Sequence, residues 1–139
     1  MLERQVARKL QIRTINSGKF VQIERESEET RFIPNYIEIN GNKISRVRVL
    51  ATVIDKFVSD NNEYASLTLD DTTDTIRCKI FNDLSMVENI EKGDVVDVIG
   101  RIREYNGELY ILPEIIVKIN DPNFEVLRKL EIEKWEISK

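Results

Sequence analysis

The sequence predicts an all-β protein, a five-stranded Greek-key barrel with an N-terminal β extension and a C-terminal α-helix. Hydrophobic and polar residues alternate from residue 43 to residue 120, the pattern of strands with one buried face. Turn-forming residues separate the alternating runs, and the alternation breaks only at residues 82–92. With 139 residues, of which 41% are hydrophobic, the chain can bury one core and fits one domain.

The first three barrel strands are predicted at residues 43–59, 64–69 and 75–81. The inward positions of the first strand are Val47, Val49, Ala51 and Val53. In the other two strands, alternation places six side chains on the outer face: Tyr64, Ser66, Thr68, Arg77, Lys79 and Phe81. The run at residues 70–74 is predicted to be a capped turn, because short Asp and Thr side chains bond the local backbone. The alternative is a site for a hard cation, but the spacing of a calcium-binding loop is absent.

The rest of the barrel follows from turn and helix signals. Residues 82–92 are predicted to form one short helix, with Leu84, Val87 and Ile90 at three-residue spacing. The fourth strand spans residues 94–105, and its Gly100 favours a bulge or a sharp bend. Asn106-Gly107 is a strong hairpin signal, so the fifth strand covers residues 108–119. Five strands with one helix between the third and fourth have the order of an OB-fold.

Two further parts flank this barrel, which gives three predicted regions: an N-terminal arm and β-hairpin at residues 1–42, the OB-fold at 43–120 and a helix at 121–139. The N-terminal region has candidate strands at residues 18–24 and 31–39 around an acidic loop, followed by a second Asn-Gly turn at residues 40–41. Asp121-Pro122 is a helix-start signal, so the terminal helix is predicted from residue 123 to about residue 137.

The composition disfavours several function classes. The chain has no His and one Cys, Cys78, so a disulfide framework, a Cys-rich zinc site and the usual catalytic base are excluded. We therefore expect neither an enzyme nor a bound cofactor or metal. No apolar run approaches the ~20 residues that a membrane helix needs, and the N-terminus is too charged for a signal peptide, so a soluble, intracellular protein without membrane contact is expected. The net charge of −4 means that any anion site must come from local clustering.

The sequence offers one candidate surface for nucleic acid. Sequence-tolerant binding of single strands requires cations that follow phosphates and aromatic faces on which bases stack. The outer face of the second and third strands supplies both, and the fourth strand adds Arg101, Arg103 and Tyr105 next to the Asn-Gly turn. The alternative is structural, since aromatic residues also pack on pleated sheets: Phe81 would then close the barrel end and Tyr105 would cover the hairpin. Phe57 and Tyr110 are assigned to the core or the barrel rim.

The terminal helix carries a wide apolar face. At 100° per residue, one half of the helix collects Phe124, Val126, Leu127, Leu130, Trp135 and Ile137, and Ile132 falls outside it. A face this wide exceeds what one helix on a small barrel buries, so a partner helix is predicted to cover it. The alternative is that the helix packs back on its own barrel.

The order of these segments resembles a known family. Residues 48–55, 64–71, 75–81, 93–103, 105–108 and 122–130 are, in that order, similar to the middle subunit of archaeal and eukaryotic replication protein A. The resemblance implies that Phe81 and Tyr105 match the two base-stacking aromatics of the family, although this chain has Phe and Tyr where the family has the larger Trp. It also implies that the terminal helix joins helices of a large and a small subunit.

The predicted function is therefore single-stranded DNA binding within a heteromeric complex that acts in DNA replication, repair and recombination. By the resemblance, an archaeal member is cytoplasmic and nucleoid-associated, and a eukaryotic one is nuclear. Two alternatives belong to other classes. One is an assembly scaffold with little DNA contact, and the other is a barrel that binds tRNA or structured RNA.

Overall fold

The computed structural model describes residues 6–23 and 35–137, and for residues 135–137 the backbone only. The strands, in chain order, are β1 (Arg8–Lys9), β2 (Lys19–Val21), β3 (Tyr36–Ile39), β4 (Asn42–Ile44), β5 (Arg46–Val58), β6 (Tyr64–Asp70), β7 (Thr75–Phe81), β8 (Val95–Tyr105) and β9 (Glu108–Ile119). The helices are α1 (Ile12–Ser17) and α2 (Asn123–Ile137), with a 3₁₀ turn at Leu84–Val87. The predicted all-β barrel with a terminal helix is confirmed.

The barrel is built from β5 to β9. The strands β5, β6 and β7 form an antiparallel meander, and β8 and β9 form a hairpin. Two pairings close the cylinder: the first half of β5 runs antiparallel to β8, and β7 meets β9 in parallel at Arg77 opposite Tyr110. The long strand β5 therefore belongs to both halves of the barrel. Its inward residues are buried as predicted: Val47, Val49, Ala51 and Val53.

Two irregularities bend the strands around the barrel. The register of β5 against β6 shifts between Val53 and Asp55, and that of β8 against β9 shifts between Ile99 and Gly100. At Gly100 a Cβ atom would lie 2.5 Å from the carbonyl oxygen of Leu112, so only glycine fits there. The bend predicted at Gly100 is confirmed. The shift in β5 was not predicted, and it decides which side chains of that strand face outward.

The helix predicted at residues 82–92 is wrong, because only the 3₁₀ turn Leu84–Val87 forms. The backbone bonds here are of the shorter i to i+3 type, such as the amide of Ile90 donating to the carbonyl of Val87 at 3.1 Å. The Lys56 ammonium on β5 also donates to the carbonyls of Val87 and Ile90, at 2.9 and 2.7 Å. The amide of Glu91 donates instead to the Asp94 carboxylate at 2.8 Å. The segment is thus a chain of turns that closes one end of the barrel.

A three-stranded antiparallel sheet, β2–β3–β4, precedes the barrel. The hairpin predicted at residues 40–41 is confirmed, with φ of 50° at Asn40 and 82° at Gly41. The acidic loop and the start of the second predicted strand lie outside the described residues. The single first strand predicted at residues 43–59 is wrong at Ser45, which is buried where the chain leaves this sheet for the barrel.

The segment from β1 to α1 closes the other end of the barrel and was not predicted. Strand β1 pairs in parallel with β5, and Leu10, Ile12 and Ile15 are almost completely buried. The predicted capped turn at residues 70–74 is confirmed, and it also holds α1. The Asp71 carboxylate accepts hydrogen bonds from the backbone amides of Ile12 and Thr73, at 2.8 and 2.9 Å.

The helix α2 has the predicted bounds but lies on the barrel through a face that was not predicted. Ile132, placed outside the apolar half, is buried against the barrel, and so is Arg128. Within the described ranges, no helix is both long enough and apolar enough to span a bilayer.

Candidate nucleic-acid interface

The strand register brings six of the predicted side chains together on the outer face of β6 and β7. Directly opposite pairs across these two strands are Tyr64 with Phe81, Ser66 with Lys79, and Thr68 with Arg77. Residues paired in this way have Cβ atoms about 5 Å apart and share one face of the sheet. Between them, the buried side chains of both strands point into the core.

Three aromatic rings lie in a row across β5, β6 and β7. The ring centroids of Tyr64 and Phe81 are 5.3 Å apart, and those of Phe57 and Tyr64 are 6.1 Å apart. Phe81 is 49% exposed and Phe57 is 52% exposed, whereas Tyr64 between them is half-buried. The structural alternative for Phe81, closure of the barrel end, does not fit this exposure.

Of the two places predicted for Phe57, the core or the barrel rim, the core is wrong, because about half of this side chain is exposed at the end of β5. Straight alternation from Val53 would turn residue 57 inward, but the shift in β5 inserts Ile54 and reverses the later positions. Phe57 therefore pairs with Ser66, which is itself opposite Lys79, and all three face outward. A bulge is difficult to detect in the sequence, because neither Gly nor Pro marks it here.

The second group of rings lies beyond Lys79, on β8 and β9. The Lys79 ammonium is 4.4 Å from the ring centroid of Tyr110 and 5.4 Å from that of Tyr105. Tyr105 is 64% exposed. For Tyr110, also predicted in the core or at the barrel rim, the core is wrong, since its half-buried ring lies on the outer face and contacts a cation. We call the face that carries these rings and the outer side chains of β6 and β7 the aromatic face; its rings are Phe57, Tyr64, Phe81, Tyr105 and Tyr110.

The predicted arginines are placed differently from one another. Arg77 is opposite Tyr110, and its Nε lies 3.7 Å from Oε1 of Glu108 at the start of β9. Arg103 is opposite Tyr110 on the other side of β9. Arg101 lies two residues further from the turn, where its neighbours across the sheet are Arg46 and Leu112. Arg77 and Arg103 thus flank Tyr110, and Arg101 extends the line of cations away from the rings.

The side chains of the aromatic face are of types that can bind nucleic acid. Exposed rings offer π-faces to unstacked bases, and Arg and Lys side chains attract phosphates. Burial raises the pKa of the Cys78 thiol, so this group stays protonated inside the core. In the part of the chain that the structure describes, no group of three or more acidic or Cys side chains is arranged to hold a metal ion.

A second exposed surface lies on α2. Among its predicted partner-binding residues, Phe124 is 41% exposed, Val126 60%, Leu127 53% and Leu130 58%. The side chains of Trp135 and Ile137 lie outside the described residues.

The opposite side of α2 is fixed to the barrel by charge. The Arg128 guanidinium donates to the Asp97 carboxylate of β8 at 2.8 Å, and Arg48 of β5 donates to the same oxygen at 2.7 Å. Burial alone would raise the pKa of Asp97, but the hydrogen bonds from Arg48 and Arg128 outweigh it and hold this pKa below its usual value. Lys9 of β1 and Glu131 add a further ion pair.

The comparisons with known proteins agree with this architecture. Residues 43–127 match a family model described as an OB-fold nucleic acid binding domain. An uncharacterized protein of Methanocaldococcus jannaschii is 38% identical over 102 residues, which cover 73% of this chain and 41% of that protein. The CST complex subunit STN1 of Homo sapiens is 28% identical over an alignment of 137 positions; the match covers 77% of this chain and 37% of that protein. The chain thus spans about two fifths of the length of these relatives.

Two solved structures have the same fold along nearly the whole chain. A chain of a replication protein A heterotrimer bound to ssDNA superposes with a TM-score of 0.75 at 16% identity, covering 96% of this chain and 98% of that one. A chain of the S. pombe Stn1-Ten1 complex gives a TM-score of 0.79 at 16% identity, covering 96% and 93%. The OB-fold predicted from the strand order is thereby confirmed.

Proposed function

This chain belongs to the family of OB-fold nucleic acid binding domains, and from that membership we propose that it is a non-enzymatic, single-stranded DNA-binding subunit of a heteromeric complex. The complex resembles replication protein A and acts in DNA replication, repair and recombination. Its sequence relative STN1 is named as a subunit of the CST complex, which supports a role within an assembly.

The observation that carries this proposal is the composition of the aromatic face. Phe81 and Tyr105 are both exposed. Lys79 lies between them, because it is two residues before Phe81 on β7 and its ammonium is over the ring of Tyr105. Single-strand binding needs base platforms beside phosphate-binding cations. The phosphates bind Arg77, Lys79, Arg101 and Arg103, and the bases stack on Phe81 and Tyr105. Ser66 and Thr68 supply hydroxyl groups between them, beside Tyr64.

The proposed partners of α2 are the large and small subunits of the same complex. Four exposed apolar side chains on one helix are costly for a free surface, and a helix of each partner would bury them. The buried contacts of Arg128 and Ile132 keep that face pointing away from the barrel.

The experiment is a titration of the full chain with fluorescent oligo-dT, followed by anisotropy. Replacing both platforms, in the variant Phe81→Ala/Tyr105→Ala, should cost roughly 2 to 6 kcal/mol of binding free energy if two stacked bases are lost. Phe124→Ala is the matched control, since it removes an exposed ring from α2 instead. A double variant that is folded and binds DNA like the wild type would sink the assignment of the site.

The second candidate function is an assembly scaffold with little DNA contact, and the exposed apolar face of α2 favours it. Leu127→Glu/Leu130→Glu should then abolish copurification of the complex, while the chain itself shows negligible DNA binding. If the same variant loses its partners yet binds oligo-dT normally, the two surfaces are separate and the DNA-binding proposal stands. Competition of oligo-dT with tRNA tests the third candidate, an RNA-binding barrel, because preference for tRNA would favour it.

A further inference from the structure

Within the aromatic face, the row of Phe57, Tyr64 and Phe81 continues beyond the two proposed base platforms, Phe81 and Tyr105. Phe57 lies at the end of β5, on the side of Tyr64 away from Phe81. Its ring contacts Tyr64 alone among the described rings, and about half of Phe57 is exposed. Diagonal neighbours on adjacent strands are within reach of aromatic side chains, so Phe57, Tyr64 and Phe81 form a continuous apolar strip.

The strip ends at a chain segment, residues 55–65, whose charged side chains are mostly acidic. Between residues 55 and 65 the chain has a single cation, Lys56, against the acids Asp55, Asp60 and Glu63. The Lys56 ammonium is turned to the other side of β5, where it donates to two backbone carbonyls of the closing turn. All three acids are exposed. A nucleotide at this end of the strip would therefore be held by its base and not by its phosphate.

We propose that Phe57, supported by Tyr64, is a third base-stacking platform, which binds one further unpaired base without a phosphate contact. This proposal rests on the proposed function. The bound DNA strand would pass from Tyr105 over Phe81 and continue toward the turn between β5 and β6. The contribution of this platform to affinity is independent of salt, because stacking releases no counterions. This property separates it from Lys79 and Arg77, whose contributions weaken as salt rises.

The test measures binding of the full chain to oligo-dT of about 16 nucleotides, the upper site size of one OB-fold. Phe57→Ala should weaken binding about 5- to 150-fold, the loss of one stacked base. The slope of log affinity against log salt should stay at the wild-type value. Phe57→Leu keeps apolar volume without the ring and should show most of this loss, whereas Phe57→Trp should bind at least as tightly as the wild type. Val58→Ala, a change at the neighbouring residue on the other side of β5, should bind normally.

Two results would overturn the platform. One is a Phe57→Leu variant that binds like the wild type while Phe81→Ala is weakened, which leaves the proposed function intact. The other is a Phe57→Ala variant whose salt slope falls, since that would mean a lost phosphate contact. Normal binding by Phe81→Ala/Tyr105→Ala would instead defeat the proposed function itself.

Discussion

Both cations on the outer face of β7 have partners within the chain itself. Arg77 faces Glu108 at 3.7 Å, and Lys79 lies over the rings of Tyr105 and Tyr110. Glu108 and Arg77 also line a cleft beneath the turn between β8 and β9. A phosphate that binds Arg77 must replace the Glu108 carboxylate, because both anions use the same guanidinium. Glu108 is thus a competitor of DNA within the proposed site.

Removing this competitor should strengthen DNA binding. Both side chains of the pair are more than half exposed, and such ion pairs contribute at most about 1 kcal/mol. Glu108→Gln should therefore bind oligo-dT about two- to fivefold more tightly at low salt. The measurement is anisotropy of labelled DNA with the full chain.

The control is Glu104→Gln, which changes the net charge equally on the same hairpin. Glu104 alternates with Arg103 and Tyr105, so it lies on the other side of β8. An equal gain in both variants would show a general charge effect, and no gain for Glu108→Gln would remove the competition. In an Arg77→Gln background the gain should disappear.

Single residues also mark how far alternation predicts side-chain direction. In β6 and β7 every predicted inward and outward position is correct, because no irregularity interrupts the period of two. In β5 the extra residue Ile54 reverses all later positions, and Phe57 moves from the predicted interior to the aromatic face. The contact between Tyr110 and Lys79 has a different origin. It depends on the parallel pairing of β7 with β9, which alternation within one strand does not predict.

At the scale of elements, a buried charge cluster decides which face of α2 meets the barrel. The pattern of hydrophobic residues predicts that the apolar half of α2 faces a partner. It does not predict which of the other residues of α2 contact the barrel. Asp97, 5% exposed, receives hydrogen bonds from Arg128 and Arg48, and Ile132 packs beside them. The helix is therefore docked by its own chain, with the proposed partner face already oriented.

Breaking this cluster should destabilise the protein. Asp97→Asn removes the nearer carboxylate from the buried Arg128 guanidinium and leaves it only Glu131, whose Oε1 lies 3.9 Å from the Arg128 Nε. Losing one partner of a buried ion pair costs about 3 kcal/mol or more. Urea denaturation followed by circular dichroism measures the change. Glu133→Gln, at an exposed position of the same helix, should leave stability unchanged. A loss for Asp97→Asn no larger than that of the control would show that the cluster does not hold α2.

The stability difference between the wild type and Asp97→Asn should depend on pH in one direction. The pKa of Asp97 is lowered from 3.8, so the carboxylate stabilises the fold fully above this value. That stabilisation is lost only as the pH falls below 3.8, through the pKa of the folded state. We expect a constant difference between about pH 5 and pH 7 and a smaller one in stronger acid. A difference that already shrinks in the near-neutral range would contradict the assignment.

Elements held by distant contacts are those that the sequence does not reveal. The short helix α1 has no side-chain cap of its own, and its amides are satisfied by Asp71 and Thr73 from the turn between β6 and β7. Strand β1 has only two residues, too few for a sequence pattern, and it is identified as a strand by its pairing with β5. The segment at residues 82–92, predicted to be a helix, is likewise held by a distant residue, since Lys56 on β5 donates to two of its carbonyls.

For the whole molecule, the net charge is negative, but positive side chains are concentrated at the proposed site. The net charge is −4, yet the proposed site collects Arg77, Lys79, Arg101 and Arg103 beside the aromatic rings. Such a chain does not bind DNA through its total charge, so the proposed DNA binding depends on a local cluster of cations such as this one.

The salt dependence should therefore be modest. Each phosphate neutralised on a single strand contributes about 0.7 to the slope of log affinity against log salt. Four cations set an upper magnitude of roughly 3, and Lys79→Gln should reduce it by about 0.7. Anisotropy titrations at several salt concentrations give these slopes. A wild-type slope far above this limit would mean that other surfaces bind the strand.

The most direct measurement is an NMR titration of the ¹⁵N-labelled full chain with oligo-dT. We expect the shifted amides to belong to β6, β7, the turn between β8 and β9 and, if Phe57 also stacks a base, the end of β5, while the amide signals of α2 and of the sheet β2–β3–β4 stay unchanged. Amide shifts concentrated on α2, or no shifts at DNA concentrations that saturate related OB-folds, would contradict it.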